Sequence, residues 1–147
     1  MGNYFLKTER IGFSIWGKED LVLAKQLWED KDVIQSIYPD KVVSDEIIQE
    51  QLLLEVQYQK ELGVQVWPIF ELASGELIGC CGLYPITEQE DCYEIRFHLR
   101  KKFWGIGLAS EAVKAVMDYA TLNLKIEQLT GGFIHRMLSK EEVEHDS

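Results

Sequence analysis

The chain has 147 residues, 46% of them hydrophobic, with a formal charge of −10 and acids at Glu141, Glu142, Glu144 and Asp146 near its end. That length and apolar content suit one domain with its own core. The acidic balance excludes a general nucleic-acid binder, which needs a basic face, and suits a cationic acceptor such as an amine or a peptide N-terminus. No apolar run approaches the roughly 18 residues of a membrane span, and Met1 to Lys7 lacks the layout of a secretory leader. Cys80, Cys81 and Cys92 contain no C-x-x-C pair, so they read as thiols, not a disulfide frame or a zinc site. No metal is expected, and the expected compartment is the cytosol.

In chain order, Ile11, Phe13 and Ile15 alternate within Thr8 to Trp16 and predict a first strand, broken by Gly17. Leu21, Leu23, Ala24, Leu27 and Trp28 predict a helix from Glu19, and a short helix is expected over Lys31 to Ile37 before the Tyr38-Pro39-Asp40 turn. Ser44 reads as the N-cap of a helix reaching Leu62, with Asp45 and Glu46 suited to its dipole. Ile47, Leu54, Tyr58 and Leu62 form its stripe, widened by Ile48 and Leu52, and Gly63 stops it. Val64 to Leu72 and Leu77 to Tyr84 read as strands around the Ala73-Ser74-Gly75-Glu76 turn. Gly79 and Gly82 suggest a close backbone approach or a bulge. Pro85 to Asp91 is an acidic loop, and Cys92 to Leu99 is a fourth strand. Ala109, Ala112, Val113, Val116, Met117 and Ala120 mark the core face of a helix ending near Leu124. Ile126 to Phe133, interrupted at Gly131-Gly132, is a fifth strand. Strands in a run followed by strand-helix-strand predict an α/β mixed sheet with helices on its faces.

The junction between the fourth strand and the last helix is the most informative stretch. Lys101-Lys102-Phe103-Trp104-Gly105-Ile106-Gly107-Leu108-Ala109-Ser110-Glu111-Ala112 runs from strand through a basic glycine turn into helix. The glycines allow a tight bend, and the helix that follows offers unpaired N–H groups and the positive end of its dipole to an anion. Neither G-x-x-x-x-G-K-[ST] nor G-x-G-x-x-G is present.

The pattern Lys102-x-x-Gly105-x-Gly107 resembles the coenzyme A pyrophosphate loop of the GNAT acyltransferase superfamily, [QR]-x-x-G-x-[GA], with Lys at the basic position. Phe103-Trp104-Gly105-Ile106-Gly107-Leu108-Ala109-Ser110-Glu111-Ala112 is similar to the branch of the ribosomal-protein-alanine N-acetyltransferases. The resemblance covers the chain to about Phe133 and implies a single acyl-CoA N-acyltransferase-like domain with a mainly antiparallel central sheet. It implies acetyl-CoA as cosubstrate. Lys102, Phe103, Trp104, Gly105, Ile106, Gly107, Leu108 and Ala109 would hold its pyrophosphate, and the backbones of Phe97 and Leu99 its pantetheine arm, in a gap between the fourth and fifth strands. It implies acetyl transfer to a primary amine, a protein N-terminus or a small molecule, by direct attack. The alternative is a catalytically impaired acyl-CoA-binding or interaction protein.

On the fourth strand Tyr93, Ile95, Phe97 and Leu99 point one way and Glu94, Arg96, His98 and Arg100 the other. By resemblance Glu94, in its Glu-Ile context, is the general base. The other reading is a structural ion pair with a neighbour, and Arg96 lies two residues away on the same face. That branch commonly has Gly at the position of Arg96, so an arginine there narrows the acceptor site or selects an acidic group. His98 reads as a structural histidine, or as a base or substrate contact. Trp67 and Tyr84 are candidates for the acceptor pocket or for core, and Tyr119 for core. Glu111 suits the first turn of its helix.

The family pattern fails after the fifth strand. Residues 134–147 are divergent: Arg136 and Ser139 stand where the branch shows Asn-x-x-Ser, and Gly-Phe and the last two strands are not found. Such a loss exposes a sheet edge. Either a partner subunit, as in a homodimer, fills that gap or the chain is truncated.

Overall fold

A computed structural model describes residues 3–30, 44–86, 92–126 and 128–130. Its strands are β1 (Leu6–Lys7), β2 (Ile11–Phe13), β3 (Val66–Glu71), β4 (Leu77–Pro85), β5 (Cys92–Leu99) and β6 (Gln128–Thr130). The helices are α1 (Leu21–Trp28), α2 (Asp45–Leu62) and α3 (Leu108–Leu122), with a 3-10 turn at Lys101–Phe103. The sheet runs in the order β1-β2-β3-β4-β5-β6. Neighbours are antiparallel except β5 and β6, which are parallel over Cys92–Glu94 and Gln128–Thr130. This is the mixed, mainly antiparallel sheet that the sequence predicts.

One apolar cluster joins one sheet face to α3, through Ile69, Leu83 and Ile95 against Leu108, Ala112 and Val116. The other joins the opposite face to α1 and α2, through Phe70, Leu77 and Cys80 against Ala24, Leu27, Ile48 and Leu52. Each fully buried aliphatic side chain contributes about 1.5–3 kcal/mol to that packing.

Two elements differ from the sequence reading. The first strand is shorter and has an extra partner: β2 ends at Phe13 and pairs with β1. Ser14 N–H donates to Pro68 O at 3.0 Å, but Pro68 has no N–H to return, so the ladder stops. Ile15 is consequently 44% exposed rather than core. Trp16 turns inward instead, its indole Nε1 donating to Val66 O at 2.9 Å.

On α2 the buried line is Ile48, Leu52 and Glu55, while Ile47 and Leu62 are exposed. Both ends of α2 follow the sequence. Ser44 Oγ accepts from Ile47 N at 3.2 Å, and Gly63 takes the left-handed conformation at φ 75°. The expected helix over Lys31 to Ile37 and most of the acidic loop lie outside the described residues. So do Gly131-Gly132 and the tail.

The glycines of β4 act as their spacing suggests. A Cβ at Gly79 would collide with the carbonyl of His98, and one at Gly82 with that of Gln65. Ile69 opposes Gly79 while Phe70 opposes Leu77. Ile78 is therefore the extra residue of a bulge.

Candidate active site

The junction between β5 and α3 is built from backbone. After the 3-10 turn, Gly105 and Gly107 both sit at φ 82°, and α3 starts at Leu108 with no side-chain cap. A left-handed residue costs an L side chain roughly 1–2 kcal/mol, which glycine avoids. A Cβ built on Gly105 meets nothing within 4 Å, so the main chain there is open to an approaching group. The uncapped first turn of α3 adds N–H groups and a positive dipole end. An open glycine bend running into a helix N-terminus fits a diphosphate.

The residues expected to hold that diphosphate divide by role. Phe103 N–H donates to Arg100 O at 2.9 Å and Trp104 N–H to Lys101 O at 3.0 Å, so these amides close the 3-10 turn. The Phe103 side chain is core. Trp104 Nε1 donates to Leu99 O at 2.8 Å, which commits a main-chain acceptor of β5 within the protein. Lys102 Nζ bonds Glu76 Oε2 at 2.8 Å on the β3–β4 turn. Gly105 and Ile106 are exposed, Gly107 is half-buried, and the side chains of Leu108 and Ala109 enter the core. The bend is anchored from behind: Arg10 Nη1 donates to Ile106 O at 3.0 Å, and Arg10 Nε to Glu111 Oε1 at 2.7 Å.

The polar face of β5 looks toward α1 and α2. Arg96 Nε donates to Glu94 Oε1 at 2.7 Å, so the carboxylate proposed as base is half of an ion pair. The Arg96 guanidinium lies 3.7 Å from the centroid of the Tyr84 ring, whose neighbour Tyr58 packs edge-on at 5.4 Å. Phe97, on the opposite face, packs against the α3-side core. Burial, with the charge of Arg96, pushes His98 down to about 4 and keeps its imidazole neutral near pH 7. Trp67 is fully buried, its indole N–H donating to Gln59 Oε1 at 2.8 Å and its ring among Phe5, Phe13 and Tyr119. It packs the core and presents no surface to an acceptor.

Sequence reasoning missed Glu55. It is 1% exposed on α2, accepting from Val66 N at 2.9 Å and from Gln51 Nε2 at 3.1 Å. Burial pushes its carboxyl up to about 7 against the lowering pull of these bonds and of Arg96. Gln65, also buried, bonds Trp16 N, Trp16 O and Glu55 O. The signal for Glu55 was its i+3 spacing from Leu52 on an apolar line. Among the described residues no group of three or more His, Cys, Asp or Glu side chains is placed to hold a metal, and no helix is long and apolar enough to cross a membrane.

Comparison with known proteins places this geometry. The acetyltransferase (GNAT) domain model matches residues 10–136, and the chain belongs to that family. An uncharacterised N-acetyltransferase, p20, of Bacillus licheniformis is 29% identical over 126 residues, 84% of this chain and 70% of the relative. A GnaT-family acetyltransferase from Bordetella pertussis superposes with a TM-score of 0.75 at 14% identity, covering 92% of this chain and 85% of that one. RimL, a ribosomal alpha-N-protein acetyltransferase solved with coenzyme A, superposes at 0.72 and 16% identity, over 94% of this chain and 80% of its own. These superpositions show the shared fold.

Proposed function

We propose that the chain moves an acetyl group from acetyl-CoA to a primary amine by direct attack. The observation that carries this reading is the pair of left-handed glycines at φ 82° leading into the uncapped helix α3. The main chain from Gly105 to Ala109, open at Gly105, would hold the diphosphate, with the exposed Lys101 supplying positive charge beside it while Lys102 is paired with Glu76. When bound, the cosubstrate supplies an acetyl group already activated as a thioester. The chain's part is to orient that group and take a proton from the amine.

Glu94 is the residue we assign to the proton. Its side chain is 33% exposed, and Arg96 fixes one of its oxygens. His98, neutral and largely buried, is the nearby polar group that lines this face. We propose a protein N-terminus as acceptor ahead of a small amine, because the RimL fold is shared and this chain carries net negative charge. The Glu94–Arg96 ion pair favours a second reading, acyl-CoA binding without turnover, since Arg96 already occupies one of the carboxylate oxygens.

Calorimetric titration with acetyl-CoA, followed by thiol-release assays over an amine panel, tests both. Saturable binding with turnover supports the enzyme. Binding without turnover selects the second reading, and absence of binding removes the cradle.

A further inference from the structure

The N-terminal hairpin is tied to the first turn of α3 through Glu111 and to the glycine bend through Arg10. Glu111 Oε2 accepts from Thr8 Oγ1 and from Arg10 N–H, the latter at 2.9 Å, while Oε1 accepts from Arg10 Nε at 2.7 Å. The turn that carries these donors is closed on itself. Thr8 N–H donates to Ile11 O at 2.8 Å, and Ile11 N–H to Thr8 Oγ1 at 3.0 Å. The Arg10 guanidinium then reaches on to Ile106 O at 3.0 Å, the carbonyl between the two left-handed glycines.

That last bond selects an orientation. No peptide bond in the described chain is cis. In a trans peptide the C=O and the following N–H point in opposite directions. Holding Ile106 O toward the hairpin therefore turns Gly107 N–H away from it. Reversal of that peptide turns ψ of Ile106 and φ of Gly107, and glycine at 107 makes it cheap, so something outside the bend must choose.

We propose that Arg10, locked by Glu111, is a positioning residue that holds the Ile106–Gly107 peptide with its N–H aimed at a bound diphosphate. The proposal rests on the reading of the bend as the cradle. Arg10 acts by geometry, because Glu111 neutralises its charge at 2.7 Å. Burial would raise the Glu111 carboxyl, but the bonds from Thr8 and Arg10 outweigh it and hold the group below the usual carboxylate range, so the clamp persists through neutral pH.

The test is equilibrium binding by calorimetry of coenzyme A and of pantetheine, which lacks the diphosphate, to wild type, Arg10→Ala and Arg10→Lys. Coenzyme A should bind about tenfold more weakly to both variants, the size of one lost charge-assisted hydrogen bond, while pantetheine affinity stays within about twofold. Lysine keeps the charge but not the forked donors, and it carries the test if the alanine variant does not fold. Wild-type affinity for coenzyme A in either folded variant overturns the clamp. So does equal weakening of both ligands, which marks a general loosening of the fold. A wild-type protein that binds no coenzyme A removes the cradle itself, an outcome distinct from failure of the clamp.

Discussion

The glycine bend and the polar face of β5 are neighbours in the chain and opposites in construction. The bend is made of main chain within one short segment, and its two glycines share a φ of 82°. The polar face is made of side chains from separate elements, with Glu94 and Arg96 on β5, Tyr84 on β4 and Tyr58 and Glu55 on α2. A backbone device survives many changes of side chain, provided glycine stays where φ is positive. A side-chain cluster depends on each partner, and here the proposed base is shared with a cation that has its own aromatic seat.

Breaking the bend has the broadest expected effect, because turnover cannot proceed without binding. Gly105→Trp forces a side chain into the left-handed region and fills the open space, so acetyl-CoA binding should fall by more than about 100-fold, or about 2.7 kcal/mol. Calorimetry reads the loss, and a thermal midpoint near wild type shows that the fold survived. Undiminished affinity in that folded protein would take the diphosphate away from Gly105.

Changing the polar face should separate chemistry from binding. Glu94→Gln is expected to lower kcat by roughly 10²–10⁴ while leaving acetyl-CoA affinity unchanged. Full turnover in this variant would pass the proton to another group and leave the ion pair as structure.

Glu55 sharpens the comparison by tying the polar face to stability. Its carboxyl rises in the fold from 4.5 to about 7. The associated stability is thus fully present below pH 4.5 and is lost as pH rises through about 7. Between pH 4.5 and 8 the wild type should lose about 3 kcal/mol relative to Glu55→Gln, measured by denaturant unfolding. His98 acts in the opposite sense: its pKa is lowered to about 4, so its share is present above 6.5 and lost as pH falls toward 4. Referencing to Glu55→Gln at each pH removes that second trend. A pH-independent difference would show that Glu55 stays charged in its buried seat.

The smallest effect is expected far from both regions. Ser44→Ala removes the cap from Ile47 N and should cost about 1 kcal/mol with no change in coenzyme affinity. A coupled loss of binding would mean that α2 positions the site.

Local rules made the bend legible. Glycine spacing, a preceding strand and a following helix all lie within one short window, and the family pattern rests on the same residues. The N-cap at Ser44, the stop at Gly63 and the tight approaches at Gly79 and Gly82 were readable for the same reason. Ile15 misled because strand alternation ignores the partner: Pro68, 53 positions away by chain numbering, ends the ladder. Glu55 was hidden because an acid on an apolar helical line reads as noise until Val66 N–H and Gln51 are seen to satisfy it.

The sequence by itself determined the family and the run of elements from α2 to β6, and it marked the bend where we propose that a diphosphate is gripped, since each depends on residues close along the chain. Only the tertiary structure decided that Tyr84 seats the Arg96 guanidinium, that Trp67 is core, and that Arg10 reaches Ile106 across 96 positions. Those outcomes depend on which side chains the sheet brings together, and long-range pairing is what a linear pattern does not encode.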